Sequence, residues 1–373
     1  MDSLPTSTLL ALCGLGIGMV VGAVARSARF CTFGAIEDWV LMDDTRRMKA
    51  WGLAIAVAMT IVQALDIFGI VPIGESFYLS ASFGWAGAII GGLLFGFGMA
   101  MVGTCGYGSL VRLGGGDLRA LVVALVIGLS AYMAARGITG VFREVVIEAL
   151  NLDLSALGGQ GVFHLAAWAF DVTSATASLW CSTLVVGGLL FWCFSDDGFR
   201  RSSTDILAGL LIGLAVAGGF AATGILGQDH FDPQQIESLT YALPPGEFIV
   251  YLATFSGATA SFGIGVVPGT ILGAFLVAAR KRQLRLEAFD DAREMRRHLL
   301  GAFLMGTGGV AAMGCTVGQG ISGMSTLALS APIALASIFA GASFGLHYLI
   351  TGSLREAFAA FTAFEVSKGA APR

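Results

Sequence analysis

The feature that most limits what this chain can become is a succession of apolar runs, each about as long as a bilayer is thick and each closed by a short loop. They fall at 8–25, 51–71, 83–104, 119–138, 178–194, 206–225, 248–280, 299–314 and 332–352. An α-helix rises about 1.5 Å per residue, so roughly 20 apolar residues cross a hydrocarbon core of about 30 Å. Inside lipid every backbone polar group needs an internal partner, which a helix supplies from within itself. Charged residues are only 12% of the 373, about half the share usual in a soluble domain. The expected fold is an all-α polytopic membrane protein with about nine transmembrane helices plus re-entrant or broken helices, forming one unit over 1–373.

Details of the runs refine this reading. The stretch 248–280 is too long for one straight span and carries SFGIGVVPG in its middle, so a re-entrant piece followed by a full helix is expected. The opening MDSLPTSTLLALCGLGIGMVVGAVA lacks the basic start of a secretory signal and reads as a retained first span. The segment 227–247, polar and punctuated by proline, reads as an ordinary external loop. With nine crossings, nineteen of the 21 lysines and arginines fall on one side and only Arg136 and Arg143 on the other. By the positive-inside tendency this places the N-terminus outside and the C-terminus in the cytoplasm. Basic residues at 280–297 flank a span, so lipid contact and orientation explain them better than nucleic acid.

One stretch occurs twice. GGLLFGFGMAMVGTCGYG (91–108) and GAFLMGTGGVAAMGCTVGQGISG (301–323) align at a constant offset of 210, which puts Cys105 on Cys315 and Gly108 on Gly318. The spans before these cysteines run in opposite directions in the nine-crossing arrangement. The expectation is therefore a pair of degenerate inverted-topology halves, about 8–138 and 206–352, with 139–177 as an external or surface segment. ARFCTFG (28–34) is a weaker echo of ASFGIGVVPG (260–269), with the thiol missing in the second copy.

Three of the six cysteines, Cys31, Cys105 and Cys315, sit in glycine-rich breaks. Glycine beside a thiol uncovers backbone N–H groups, and a helix starting after a break aims its positive end at the gap, which favours an anion. The candidate binding set is Cys31, Cys105, Gly106, Gly108, Cys315, Thr316, Gly318, Gln319, Gly320 and Ser322. Thr316 is equally placed to cap the following turn. Cys13, Cys181 and Cys193 lie in plain apolar helix and read as packing residues. No CxxC pair or Cys/His cluster points to a metal, and no cofactor is expected. The four histidines, His164, His230, His298 and His347, share no spacing.

RFCTFG, GTCGYG and above all GCTVGQGISG resemble the signature motifs of the YeeE/YedE family of inner-membrane sulfur transporters. The resemblance implies a transporter, not an enzyme, that takes up thiosulfate or a related small sulfur anion through the inner (cytoplasmic) membrane. It implies that Cys31, Cys105 and Cys315 pass the anion along a narrow path by S–H hydrogen bonds. It also implies a cytoplasmic sulfur-carrier protein of the TusA type as a partner, to which no residue here points. A dianion beside a thiolate at 4 Å would be repelled by roughly 4 kcal/mol per charge pair at an effective dielectric of 20, so neutral thiols are expected. The alternatives are a sulfurtransferase that forms a cysteine persulfide, or a transporter of selenium compounds or polysulfide.

Overall fold

The computed structural model describes residues 5–228 and 233–370; His230 lies outside the described residues. Each expected run contains one long helix: α1 Thr6–Ala28, α2 Arg46–Ile67, α3 Trp85–Val102, α4 Leu118–Arg136, α5 Ser174–Phe194, α6 Ser203–Leu226, α7 Phe262–Arg280, α8 Ala292–Ala311 and α9 Ser330–Thr351. All but α8 belong to stretches long and apolar enough to cross a membrane. The first turns of α8 are charged, and it becomes apolar from Leu299 onward. Among the described residues the only sheet is a two-residue pairing of Ser82–Phe83 with Leu152–Asp153.

Rows of glycine four residues apart line one helix face and let backbones touch, which lipid-embedded helices use in place of a hydrophobic drive. Gly14, Gly18 and Gly22 of α1 press on the Phe262, Val266 and Thr270 backbone of α7, while Gly265, Gly269 and Gly273 press on Ala11, Leu15 and Met19. These two helices therefore run parallel. By contrast, α3 and α8 cross antiparallel: a Cβ on Gly91 would stand 2.6 Å from the Gly308 oxygen, and one on Gly301 would stand 2.7 Å from the Gly98 oxygen. Gly91 aligns with Gly301 and Gly98 with Gly308 at the 210 offset, so the two copies exchange partners as in a two-fold contact. Likewise Gly96 of α3 presses on Ile338 of α9, and Gly306 of α8 on Ile127 of α4.

Several basic segments meet on one face. Lys49 pairs with Asp196 at 2.7 Å, Arg119 with Glu287 and with Glu294, and Arg26 donates to the Gln283 carbonyl at 3.3 Å. The loops before α2, before α4, after α5 and before α8 thus share this arginine face. At the opposite face, residues 139–173 form short turns and the helix Val162–Phe170. Backbone bonds from Val162 to Leu327 and from Leu329 to Gln160 tie this segment to the start of α9.

The run 248–280 divides, as expected, into a short helix, Pro244–Thr254, and the full helix α7. The reading of 227–247 as an ordinary external loop does not. Residues 233–243 turn back into the protein in extended form, with Leu239 and Tyr241 fully buried. Ser238 donates to Val216, in the middle of α6, at 2.6 Å. Ser322 donates to Leu239 at 2.8 Å and Thr223 to the Glu237 carbonyl at 2.7 Å. Hydroxyls from distant helices satisfy this backbone, and a window of local polarity cannot see them.

Candidate functional site: facing helix breaks with thiol caps

α3 ends where Gly103 turns left-handed at φ 75°, and α8 ends where Met313 does so at φ 57°. These positions are again 210 apart. Beyond each turn the chain restarts at a cysteine. Cys105 caps the helix Gly106–Gly114, its sulfur accepting from the Gly108 N–H at 3.3 Å. The Cys315 sulfur accepts from the Gly318 N–H at 3.4 Å and from Tyr241 N–H at 3.3 Å, and residues 318–323 form one wide π-helical turn. Cys31 precedes the helix Thr32–Met42, with the Gly34 amide facing its sulfur short of a full cap bond. A sulfur that accepts an amide keeps its S–H free to donate. C-x-x-G recurs at all three breaks, Cys31/Gly34, Cys105/Gly108 and Cys315/Gly318, but also at Cys13/Gly16 inside the unbroken helix α1, so the pattern marks this geometry only where the helix is interrupted.

The three thiols are linked. Cys31 and Cys105 are close neighbours: a Cβ on Gly108 would stand 3.6 Å from each sulfur and collide with Thr104 Oγ1. Tyr241 connects them to Cys315: its amide bonds that sulfur, its oxygen lies 3.1 Å from where Gly106 would carry a Cβ, and its ring lies against Tyr107 with centroids 5.1 Å apart. The Tyr241 hydroxyl is held by Thr270 at 2.9 Å.

A cavity approaches this line from each face. On the arginine face, about 270 Å³ is lined by Arg26, Arg29, Arg47, Arg112, Cys31 and Gly108, among others. On the other face, about 240 Å³ is lined by Glu237, Thr240, Glu247, Met313 and Gly314, among others. The two share no lining residue, and Cys105 and Cys315, both fully buried, lie between them. In the second cavity, burial and the neighbouring Glu247 carboxylate push the Glu237 carboxyl up to about 8. Thr240 also touches Cys315, and its Oγ1 would stand 2.6 Å from a Cβ on Gly318.

The rest of the candidate set surrounds the second break. Gln319 donates to the Ala312 and Met313 carbonyls at 2.9 and 3.2 Å, Ser322 bonds Leu239, and Gly320 faces Leu335. Thr316 is buried with no partner for its hydroxyl. Tyr241, Thr240 and Glu237 were not foreseen, because their segment reads as a loop. Among the described residues no group of three His, Cys, Asp or Glu side chains is placed to hold a metal ion.

A multi-pass helical protein with buried donors at two facing helix breaks, and a cavity on each side of them, has the build of a membrane transporter. The family described as Sulphur transport matches residues 27–344, and the chain belongs to it, the YeeE/YedE family whose motifs it resembles. The thiosulfate transporter TsuA of Escherichia coli (strain K12) is 26% identical over 332 residues, 83% of this chain and 86% of that protein. TsuA of Spirochaeta thermophila is 27% identical over 335 residues, 87% of this chain and 94% of its own. The probable transporter YedE of E. coli is 34% identical over 110 residues, 29% of this chain and 24% of its own. These relatives are transporters, not enzymes.

Proposed function

We propose that this protein takes up thiosulfate, or a closely related small sulfur dianion, across the inner membrane by passing it over the neutral thiols of Cys315, Cys105 and Cys31. The N-terminus lies outside and the C-terminus in the cytoplasm, so the carboxylate cavity faces out and the arginine cavity faces in. Each repeat half carries one of the two matched breaks, at Cys105 and at Cys315, and the first half carries a further break at Cys31. The observation that supports this most is the unbroken line of contact from Cys315 through Tyr241 and Gly106 to Cys105 and Cys31, between cavities on opposite faces. Relatives named for thiosulfate over more than four-fifths of the chain support the substrate.

The chemistry follows from what the line offers. Every donor on it is neutral, so a dianion meets S–H and N–H groups without a fixed cation deep enough to trap it. Amides capping Cys105 and Cys315 orient the sulfurs, and the starting ends of Gly106–Gly114 and of the 318–323 turn add positive potential. Arg29 and Arg112 then favour release at the inner cavity. Gly106, Gly108 and Gly318 keep the passage free of side chains, while Gln319, Gly320 and Ser322 hold the second break in shape.

The test is growth on thiosulfate as sole sulfur source, in a host lacking its own uptake, complemented by this chain or by Cys31→Ala, Cys105→Ala or Cys315→Ala. Loss of growth in all three at normal membrane levels is expected. Undiminished growth in all three would remove the relay.

A further inference from the structure

Among the described residues six threonines are buried: Thr32, Thr104, Thr223, Thr270, Thr316 and Thr326. They divide cleanly. Thr223, Thr270 and Thr326 each donate to a carbonyl three or four residues back, the habitual bond of a threonine within a helical turn. Thr32, Thr104 and Thr316 have no partner for Oγ1 at all, and these three are the residues directly adjacent to Cys31, Cys105 and Cys315. Each sits at a break between two helical segments. A buried hydroxyl left unpaired is unfavourable, and valine would fill the same shape without that penalty. Tyr78, Thr139 and Ser330 also carry an unpaired buried hydroxyl, but Thr32, Thr104 and Thr316 each adjoin a break cysteine, and a bonding partner arriving along that line would satisfy them.

Their placement says what that partner offers. A Cβ on Gly108 would collide with Thr104 Oγ1 and stand 3.6 Å from each of the Cys31 and Cys105 sulfurs. One hydroxyl and two thiols thus converge beside Gly108, where no side chain fits, and Cys31, Thr104 and Gly108 all line the cavity on the arginine face. A hydroxyl is a harder, better-directed donor toward oxygen than a thiol is. A sulfur oxyanion presents both kinds of acceptor, a terminal sulfur and charged oxygens.

We propose that Thr32, Thr104 and Thr316 are the oxygen-binding half of each station: the hydroxyl takes an oxyanion oxygen while the adjacent thiol meets the sulfur end. This rests on the transport reading above and adds a selectivity to it. The line favours anions carrying sulfonate-type oxygens over oxygen-free sulfur species, which a thiol path alone does not distinguish.

The experiment uses the full chain in proteoliposomes and ³⁵S-thiosulfate uptake, comparing wild type with Thr104→Val, Thr104→Ser, Thr316→Val and Thr316→Ser. Each valine variant should raise KM about tenfold or more, the range for losing a hydrogen bond to a charged group, while each serine variant stays within about threefold of wild type. Should one valine variant fail to fold, the other position and Thr32→Val decide the matter. Valine variants with wild-type KM, as expected if the hydroxyls hold only buried water, overturn the inference. So do serine variants as impaired as valine, which would mark a packing role. A wild type that carries no thiosulfate overturns the transport reading and this inference with it. Active wild type beside unaltered valine variants overturns this inference alone.

Discussion

The first and second breaks are built from the same local device and then diverge. Both close a glycine-spaced helix with a left-handed residue, and both cap the restart with a cysteine that accepts an amide three residues on. At the first break the sulfur has a second thiol, Cys31, as neighbour and a short α-helix behind it. At the second, an amide from the re-entrant segment takes the thiol's place and a π-helical turn follows. The first opens toward arginines and the second toward two carboxylates. A repeated backbone device therefore supplies the geometry twice, while the packed neighbours give each end its own chemistry.

Substitutions at matched positions break or sharpen this comparison. The largest effect is expected for Gly108→Ala, whose methyl would enter the space between Cys31, Cys105 and Thr104. Thiosulfate uptake should fall by more than tenfold, whereas Gly320→Ala, facing only the end of Leu335, should change it by less than about twofold. Uptake assays on purified protein of checked monodispersity decide this.

Next comes the pH response of the carboxylate end. Glu237 carries a carboxyl raised to about 8, with Glu247 as its charged neighbour, Tyr78 within electrostatic reach, and Arg136 acting on Glu247. A raised value means a neutral side chain below that pH and a carboxylate above it. Uptake of a dianion should hold steady on the acid side and fall severalfold as external pH rises through about 8. Glu237→Gln should flatten the alkaline fall, and a wild type without such a fall would detach Glu237 from the path.

The smallest effect concerns support of the breaks. Ser109 and Gln319 correspond at the 210 offset, and each bonds carbonyls of its own break, Ser109 to Gly106 at 2.6 Å and Gln319 to Ala312 and Met313. Ser109→Ala should lower stability by about 1 kcal/mol. Gln319→Leu, which strands two buried carbonyls, should lower it by about 2–3 kcal/mol. Thermal melting in detergent gives the order, and equal shifts would show that the second break relies no more on its side chain than the first.

Much of this arrangement was legible from residues in order. Hydropathy located every long helix because crossing hydrocarbon demands a continuous apolar surface of set length. The 210 offset marked both breaks because glycine and cysteine recur where the backbone must turn and a small polar atom must fit. Partnership between Cys31 and Cys105 was not legible, since nothing near either residue encodes the other. Nor was the re-entry of 233–243: its prolines and polar groups look solvated, and only Thr223, Ser238, Ser322 and Cys315, brought together by folding, show where its hydrogen bonds go.

By itself, then, the order of residues determined that this chain lives in lipid, which runs become its long helices, and where its helices must be interrupted, because these depend on local length and local backbone freedom. Which thiols touch, what separates them, and which charges face each cavity were decided by the tertiary structure. Those are contacts between segments up to about two hundred residues apart, and no nearby neighbour carries them.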